Sequence, residues 1–140
     1  VSESTAHVGD TLNLIRADGL KVAVTLTEII NPATVANAAP DPGKTYVATK
    51  LTITDKDSKA EEGDVNVNVS MVGSDNQIYT PDLHDVTECT NFESGAIHLA
   101  PGESATGCVV FALPQGVTPA RVKYLPSAGF ANSFGEWLVS

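Results

Sequence analysis

The sequence predicts an all-β protein, an immunoglobulin-like sandwich of two antiparallel sheets. Three observations carry that reading. Apolar residues recur at every second position in several segments: in Lys21–Ile30, Val22, Val24 and Leu26 share one face while Ala23, Thr25 and Thr27 share the other. A helix would need those residues at spacings of three and four. Pro, Gly and Asx turns cut the chain into about eight such segments. No amphipathic helical stretch and no fixed-period repeat competes with them.

Taken in order, residues 1–7 are expected to be a flexible tail on a single domain spanning 1–140. Val8-Gly9-Asp10 turns into a strand at Thr11–Arg16, with Leu12 and Leu14 inward, and Asp18-Gly19 is a strong hairpin signal into Lys21–Ile30. Asn31-Pro32 ends that strand, and Ala33–Gly43 reads as an irregular loop. Lys44–Asp55 alternates again, with Val47, Thr49, Leu51 and Ile53 on one side. After a charged connection at Asp55–Asp64, Val65–Met71 shows the cleanest alternation in the chain and reads as a strand. A turn at Gly73–Asn76 leads to a short partner, Gln77–Thr80. In Pro81–Ala96 a short helical segment of no more than two turns is expected, capped by Asp82 and running through Leu83 and Val86. Pro101–Pro114 is the stretch around which the chain is organised. A Pro-Gly turn feeds Cys108-Val109-Val110-Phe111, as in a central strand covered on both faces. Pro119–Leu125 adds a strand with Val122 and Tyr124 inward, and Glu136–Val139 a terminal one, with Trp137 and Phe134 as core plugs.

Composition narrows the function classes. Eight basic against seventeen acidic residues give a formal charge of −9. The basic residues are scattered singly, which excludes the footprint nucleic acid requires and disfavours anionic lipid. No apolar run approaches the roughly 20 residues of a membrane-spanning helix. The two cysteines, Cys89 and Cys108, lack a CxxC pattern and further ligands, which argues against zinc and redox chemistry. They read as an intramolecular disulfide in an oxidising compartment, the alternative being a pair of buried free thiols.

The order of pieces also resembles a known family. Gly9-Asp10, Val22-Ala23-Val24-Thr25-Leu26, Asn31-Pro32, Pro42-Gly43-Lys44-Thr45-Tyr46-Val47-Ala48 and Leu51-Thr52-Ile53-Thr54 come first. Ser74-Asp75-Asn76-Gln77-Ile78-Tyr79, Leu99–Gly107, Val110-Phe111-Ala112-Leu113-Pro114 and Val122-Lys123-Tyr124 complete the series. From about Val8 to Tyr124 this resembles the telokin-like, immunoglobulin-like domain of unknown function in secreted and lipid-anchored proteins of Gram-positive bacteria. The resemblance implies a secreted or surface-tethered sandwich without assigned catalysis, in which the cysteine at 108 pairs with one upstream, a place Cys89 could take. A lipid-attachment cysteine in a leader ahead of Val1 would tether it; a cleaved signal would leave it free.

Two clusters could carry chemistry. Asp82, His84 and Glu88 offer one imidazole and two carboxylates to a divalent metal, weighed against a polar loop whose carboxylates cap a helical turn. Asp55, Asp57, Glu61, Glu62 and Asp64 invite calcium, but Lys59 occupies a ligand-type offset and the glycine comes late, so a solvated acidic loop is preferred. No GxSxG or SxxK exists; Ser104 sits in a turn and His98 alternates outward. The expectation is therefore a non-catalytic extracellular or cell-surface module that binds a protein or envelope partner through loops or an uncovered strand edge, with no catalytic residues, metal or cofactor. The alternative is a secreted protein that binds a small ligand or divalent metal.

Overall fold

Strands from across the chain assemble into two main sheets. In the computed structural model, residues 2–17, 19–36, 39–57, 61–82, 84–92, 96–126 and 133–139 are described. One sheet has the order β1 (Ser2–His7), β13 (Ser133–Leu138), β12 (Pro119–Tyr124), β7 (Val69–Gly73), β8 (Ile78–Tyr79). The other runs β11 (Ser104–Pro114), β5 (Lys44–Asp55), β3 (Lys21–Ile30), β2 (Thr11–Ile15). Two short ribbons join β10 (Ala96–Leu99) to β6 (Glu61–Asp64) and β4 (Val35–Ala36) to β9 (Asp85–Val86). Only β1 and β13 pair in parallel among these strands.

The inward faces of the two sheets bury one core around Trp137, Phe111, Leu26, Leu51, Ile53 and Met71. Period-two alternation places Val47, Leu51, Val109 and Phe111 in that core, so Tyr46, Ala48, Cys108 and Val110 must face the other way. They are buried too, in a second, smaller core with Ala33 and Val86. The expectation that the Cys108 strand is covered on both faces is met. Its position is not: β11 is the outer strand of its sheet and β5 lies inside. The outer edge of β11 is instead covered at Cys108–Val110 by Asp82 and residues 84–92, where Asp82 N–H donates to the Val110 carbonyl (2.7 Å) and Cys108 N–H to the Thr90 carbonyl (2.9 Å).

The hairpin at Gly19 forms: Gly19 takes φ +86°, and Arg16 N–H reaches the Leu20 carbonyl at 2.8 Å; Asp18 lies outside the described residues. Positive φ at Gly43 (75°) and Gly102 (84°) likewise suits both Pro-Gly turns to glycine. In β3 the register with β5 slips at Thr27, between Leu26 and Glu28. The extra residue shifts the phase, so Ile29 packs on the main core and Ile30 on the smaller one.

Four expectations are corrected. The supposed flexible tail is β1, held in register with β13 from Ser2↔Ser133 to His7↔Leu138. At Gly9 (φ +100°) the chain then turns out of the first sheet and into the second. Val65–Asn68 is a single helical turn (α1), and the strand begins only at Val69. Val65 and Val69, four apart, are both buried, a spacing a helical turn satisfies as well as alternation does. The charged residues Glu61–Asp64 form β6, because ladder pairing with Ala96–Leu99 is a backbone property that side-chain polarity does not report. In Pro81–Ala96 the described residues hold no helical turn: Asp85–Val86 is β9, and Leu83 lies outside the described residues.

Candidate functional site

Residues 82–92 are the segment on which the candidate chemistry depends. Three attachments hold it. Cys89 and Cys108 are joined in a disulfide with Cα atoms 6.1 Å apart. The β4/β9 ribbon pairs Val35 with Val86 and Ala36 with Asp85. Glu88 clamps Thr34, accepting from its N–H at 2.8 and 3.0 Å and from its hydroxyl at 2.9 Å. Those hydrogen bonds, the backbone one foremost, lower the Glu88 pKa from the ordinary glutamate value against a small opposing push from burial.

Glu88 is therefore committed to Thr34 and is not part of the metal-ligand set expected with Asp82 and His84. Asp82 and His84 do come together: the His84 N–H donates to Asp82 Oδ1 at 2.8 Å, and His84 Nδ1 meets the same oxygen. The place of Glu88 is taken by Asp41. One ligand atom from each of Asp41, Asp82 and His84 lies within 4.8 Å of the others. Nothing in the sequence marked Asp41, which sits in the Pro40-Asp41-Pro42-Gly43 turn; only the folding of that loop against 82–92 brings it there. Tyr46 organises the junction from β5. Its hydroxyl accepts the Asp41 N–H at 2.9 Å, and its ring meets the His84 ring edge-on, centroids 5.2 Å apart. The hydrogen bond to Asp82 raises the His84 pKa above the ordinary imidazole value, with the Asp82 and Asp41 charges adding and burial opposing.

The acidic stretch considered for calcium is dispersed. Asp55 is buried at the end of β5 and accepts the Asp57 N–H on Oδ1, Asp57 accepts the Lys21 N–H, and Glu61–Asp64 belong to β6, their side chains outside the described set. Ser104 hydrogen-bonds Thr54 across the β5–β11 pair at 2.6 Å, and His98 is exposed on β10.

The strand edges differ sharply. Whereas β11 is covered, β2 ends its sheet with no strand beyond it among the described residues. Arg16 bonds inward to Leu20, so by alternation Leu14 and Leu12 also bond toward β3, and the backbone of Thr11 and Asn13 faces outward. Ile15 is 48% exposed at the end of that edge.

Residues 8–133 match the profile of a family described as a domain of unknown function, DUF4352. The chain belongs to that family. The resemblance read from the order of turns and strands thus names the right group, a family with no assigned activity. No curated protein matches the chain. Among solved structures, the secreted protein MPT63 of Mycobacterium tuberculosis is similar at 15% identity and TM-score 0.69, covering 99% of this chain and 98% of its own. The yjhA protein of Bacillus subtilis is similar at 10% identity and TM-score 0.68, covering 96% and 99%. The Bacillus subtilis candidate lipoprotein ycdA is similar at 8% identity and TM-score 0.59, with 87% of this chain matched to 34% of that one. At such identities these likenesses establish the shared β-sandwich fold. No enzyme family is indicated, and no helix among the described residues is long and apolar enough to cross a membrane.

Proposed function

We propose that this DUF4352 domain is a non-catalytic module acting outside the cytoplasm, and that it takes up an extended segment of a protein or cell-envelope partner along the outer edge of β2. One observation carries the reading. Of the two edges of the four-stranded sheet, β11 is covered by its own chain while β2 leaves the backbone of Thr11 and Asn13 turned outward. Strand addition uses such an edge: ladder hydrogen bonds supply affinity, and alternate side chains supply specificity. Exposed Ile15 offers an apolar contact at the end of the strand. A formal charge of −9 favours a basic or neutral segment. The disulfide supports that compartment, since such bonds persist where thiols are oxidised, and so do the secreted protein and the candidate lipoprotein that share the fold.

The alternative reading, a secreted protein that binds a small ligand or divalent metal, has the convergence of Asp41, Asp82 and His84 in its favour. Photo-cross-linking tests the edge. A photo-reactive residue at Ile15, irradiated in the envelope fraction of the native host, should give a discrete adduct. Asn13→Pro should abolish that adduct, because proline removes an outward N–H while an edge strand tolerates it. An adduct that survives Asn13→Pro, or no adduct at all, would overturn the proposal.

A further inference from the structure

We infer that Asp41, Asp82 and His84 form a binding site for a zinc-class divalent transition-metal ion, completed by water, that staples the 39–43 loop to the 82–92 segment. This goes beyond strand-edge binding and does not depend on it. The three ligand atoms converge within 4.8 Å of one another although Asp41 is 41 residues upstream of Asp82. Among the described residues no Lys or Arg forms an ion pair with any of the three, so the two carboxylates share the cluster with a single imidazole.

Groups outside the triad hold each ligand in place, the arrangement metal sites use to orient their donors. Tyr46 takes the Asp41 N–H and packs its ring against His84. Val110 takes the Asp82 N–H. Asn91 donates from Nδ2 to the His84 carbonyl at 3.1 Å. The other side-chain atom of Asn91, Oδ1, is buried and has no hydrogen-bond donor among the described residues. A buried acceptor without a donor is costly, and this one belongs to a side chain that is bonded to the segment carrying two of the three ligands.

The donor set selects the ion. Calcium and magnesium take oxygen ligands in sets of six or more, whereas one imidazole with two carboxylates suits zinc and its neighbours. An ion seated among the three replaces the proton shared between His84 Nδ1 and Asp82: the imidazole and the carboxylate then donate to the metal, and that proton passes to solvent. Three protein ligands leave at least one coordination position for water. Asp41 is exposed, so the site opens to solvent on that side.

Calorimetric titration of the chelator-treated protein with zinc chloride should show one equivalent bound, and calcium chloride should give no binding. Asp41→Asn and His84→Gln should each weaken zinc binding by about tenfold or more. His98→Gln, on the β6/β10 ribbon, should leave it unchanged. X-ray absorption of the zinc-loaded protein should show nitrogen and oxygen donors and no sulfur. Circular dichroism confirms that each variant is folded. Absence of zinc binding, zinc affinity that survives both Asp41→Asn and His84→Gln in a folded protein, equal affinity for calcium, or loss on His98→Gln would overturn the assignment.

Discussion

Removing the disulfide should lower stability by an amount that loop length sets. Cys89 and Cys108 are 19 residues apart. On the chain-entropy account, freeing a loop of about twenty residues returns about 3 kcal/mol to the denatured state at 25 °C. An unfolding entropy of about 2.1 cal/mol/K per residue over 140 residues is about 0.3 kcal/mol/K, so the midpoint should fall by about 10 °C. The two cysteines are not equivalent as mutation sites. Cys108 is buried in the smaller core beside Val110 and Ala48, while Cys89 is only partly buried. Cys89→Ala therefore leaves a buried thiol, which the core tolerates, and isolates the loop effect. Cys108→Ser buries a hydroxyl as well and should cost a further 1–3 kcal/mol or about that. Differential scanning calorimetry of wild type, reduced wild type and both variants checks this. Reduced wild type and Cys89→Ala should coincide, with Cys108→Ser below them. A Cys89→Ala midpoint within about 2 °C of oxidised wild type, against the roughly 10 °C expected, would refute the reasoning.

Gly107→Ala should destabilise by about 1–3 kcal/mol, since a Cβ there would lie 3.0 Å from the Phe92 ring, itself buried in the main core. Phe92→Leu should recover part of that loss in a double-mutant cycle followed by denaturant unfolding. Trp137→Phe should cost about 2 kcal/mol, because the fully buried indole fills the core and its Nε1 donates to the Asp10 carbonyl at 3.0 Å. Urea titration followed by circular dichroism reads that change. Glu88 supplies a pH dependence. Its folded pKa is lowered by Thr34, so the stability it contributes is complete above the ordinary glutamate value of about 4.3 and is lost as pH falls through the lower folded value. The advantage of wild type over Glu88→Gln in thermal melts should accordingly shrink on acidification, and a difference independent of pH would show that the clamp does not act through the carboxylate.

Much of the fold was legible because two-residue periodicity reports burial directly. Lys21–Ile30 and Lys44–Asp55 appear as strands with the boundaries their alternation marks. The paired burial of Cys108-Val109-Val110-Phe111 also shows in an unbroken apolar run. The failures share a cause. Val65–Asn68 carries a spacing that one helical turn and a strand both satisfy, and Glu61–Asp64 joins a ladder through backbone groups that every residue possesses. The candidate site was half visible. Asp82 and His84 are neighbours in the chain and could be paired from sequence, but Asp41 and Asn91 carry no local mark.

By itself, then, the sequence determined which residues lie inward, where the chain turns, the pairing of its only two cysteines as the favoured cross-link, and the family to which it belongs. These follow from local alternation, turn chemistry and residue order. Tertiary structure alone decided that β11 lies at an edge covered by Asp82 and residues 84–92 while β2 has no strand beyond it among the described residues, that Glu88 serves Thr34, and that Asp41 joins Asp82 and His84. Those outcomes depend on which distant segments pack together, and long-range packing is settled by the burial of the whole chain, which no local pattern encodes.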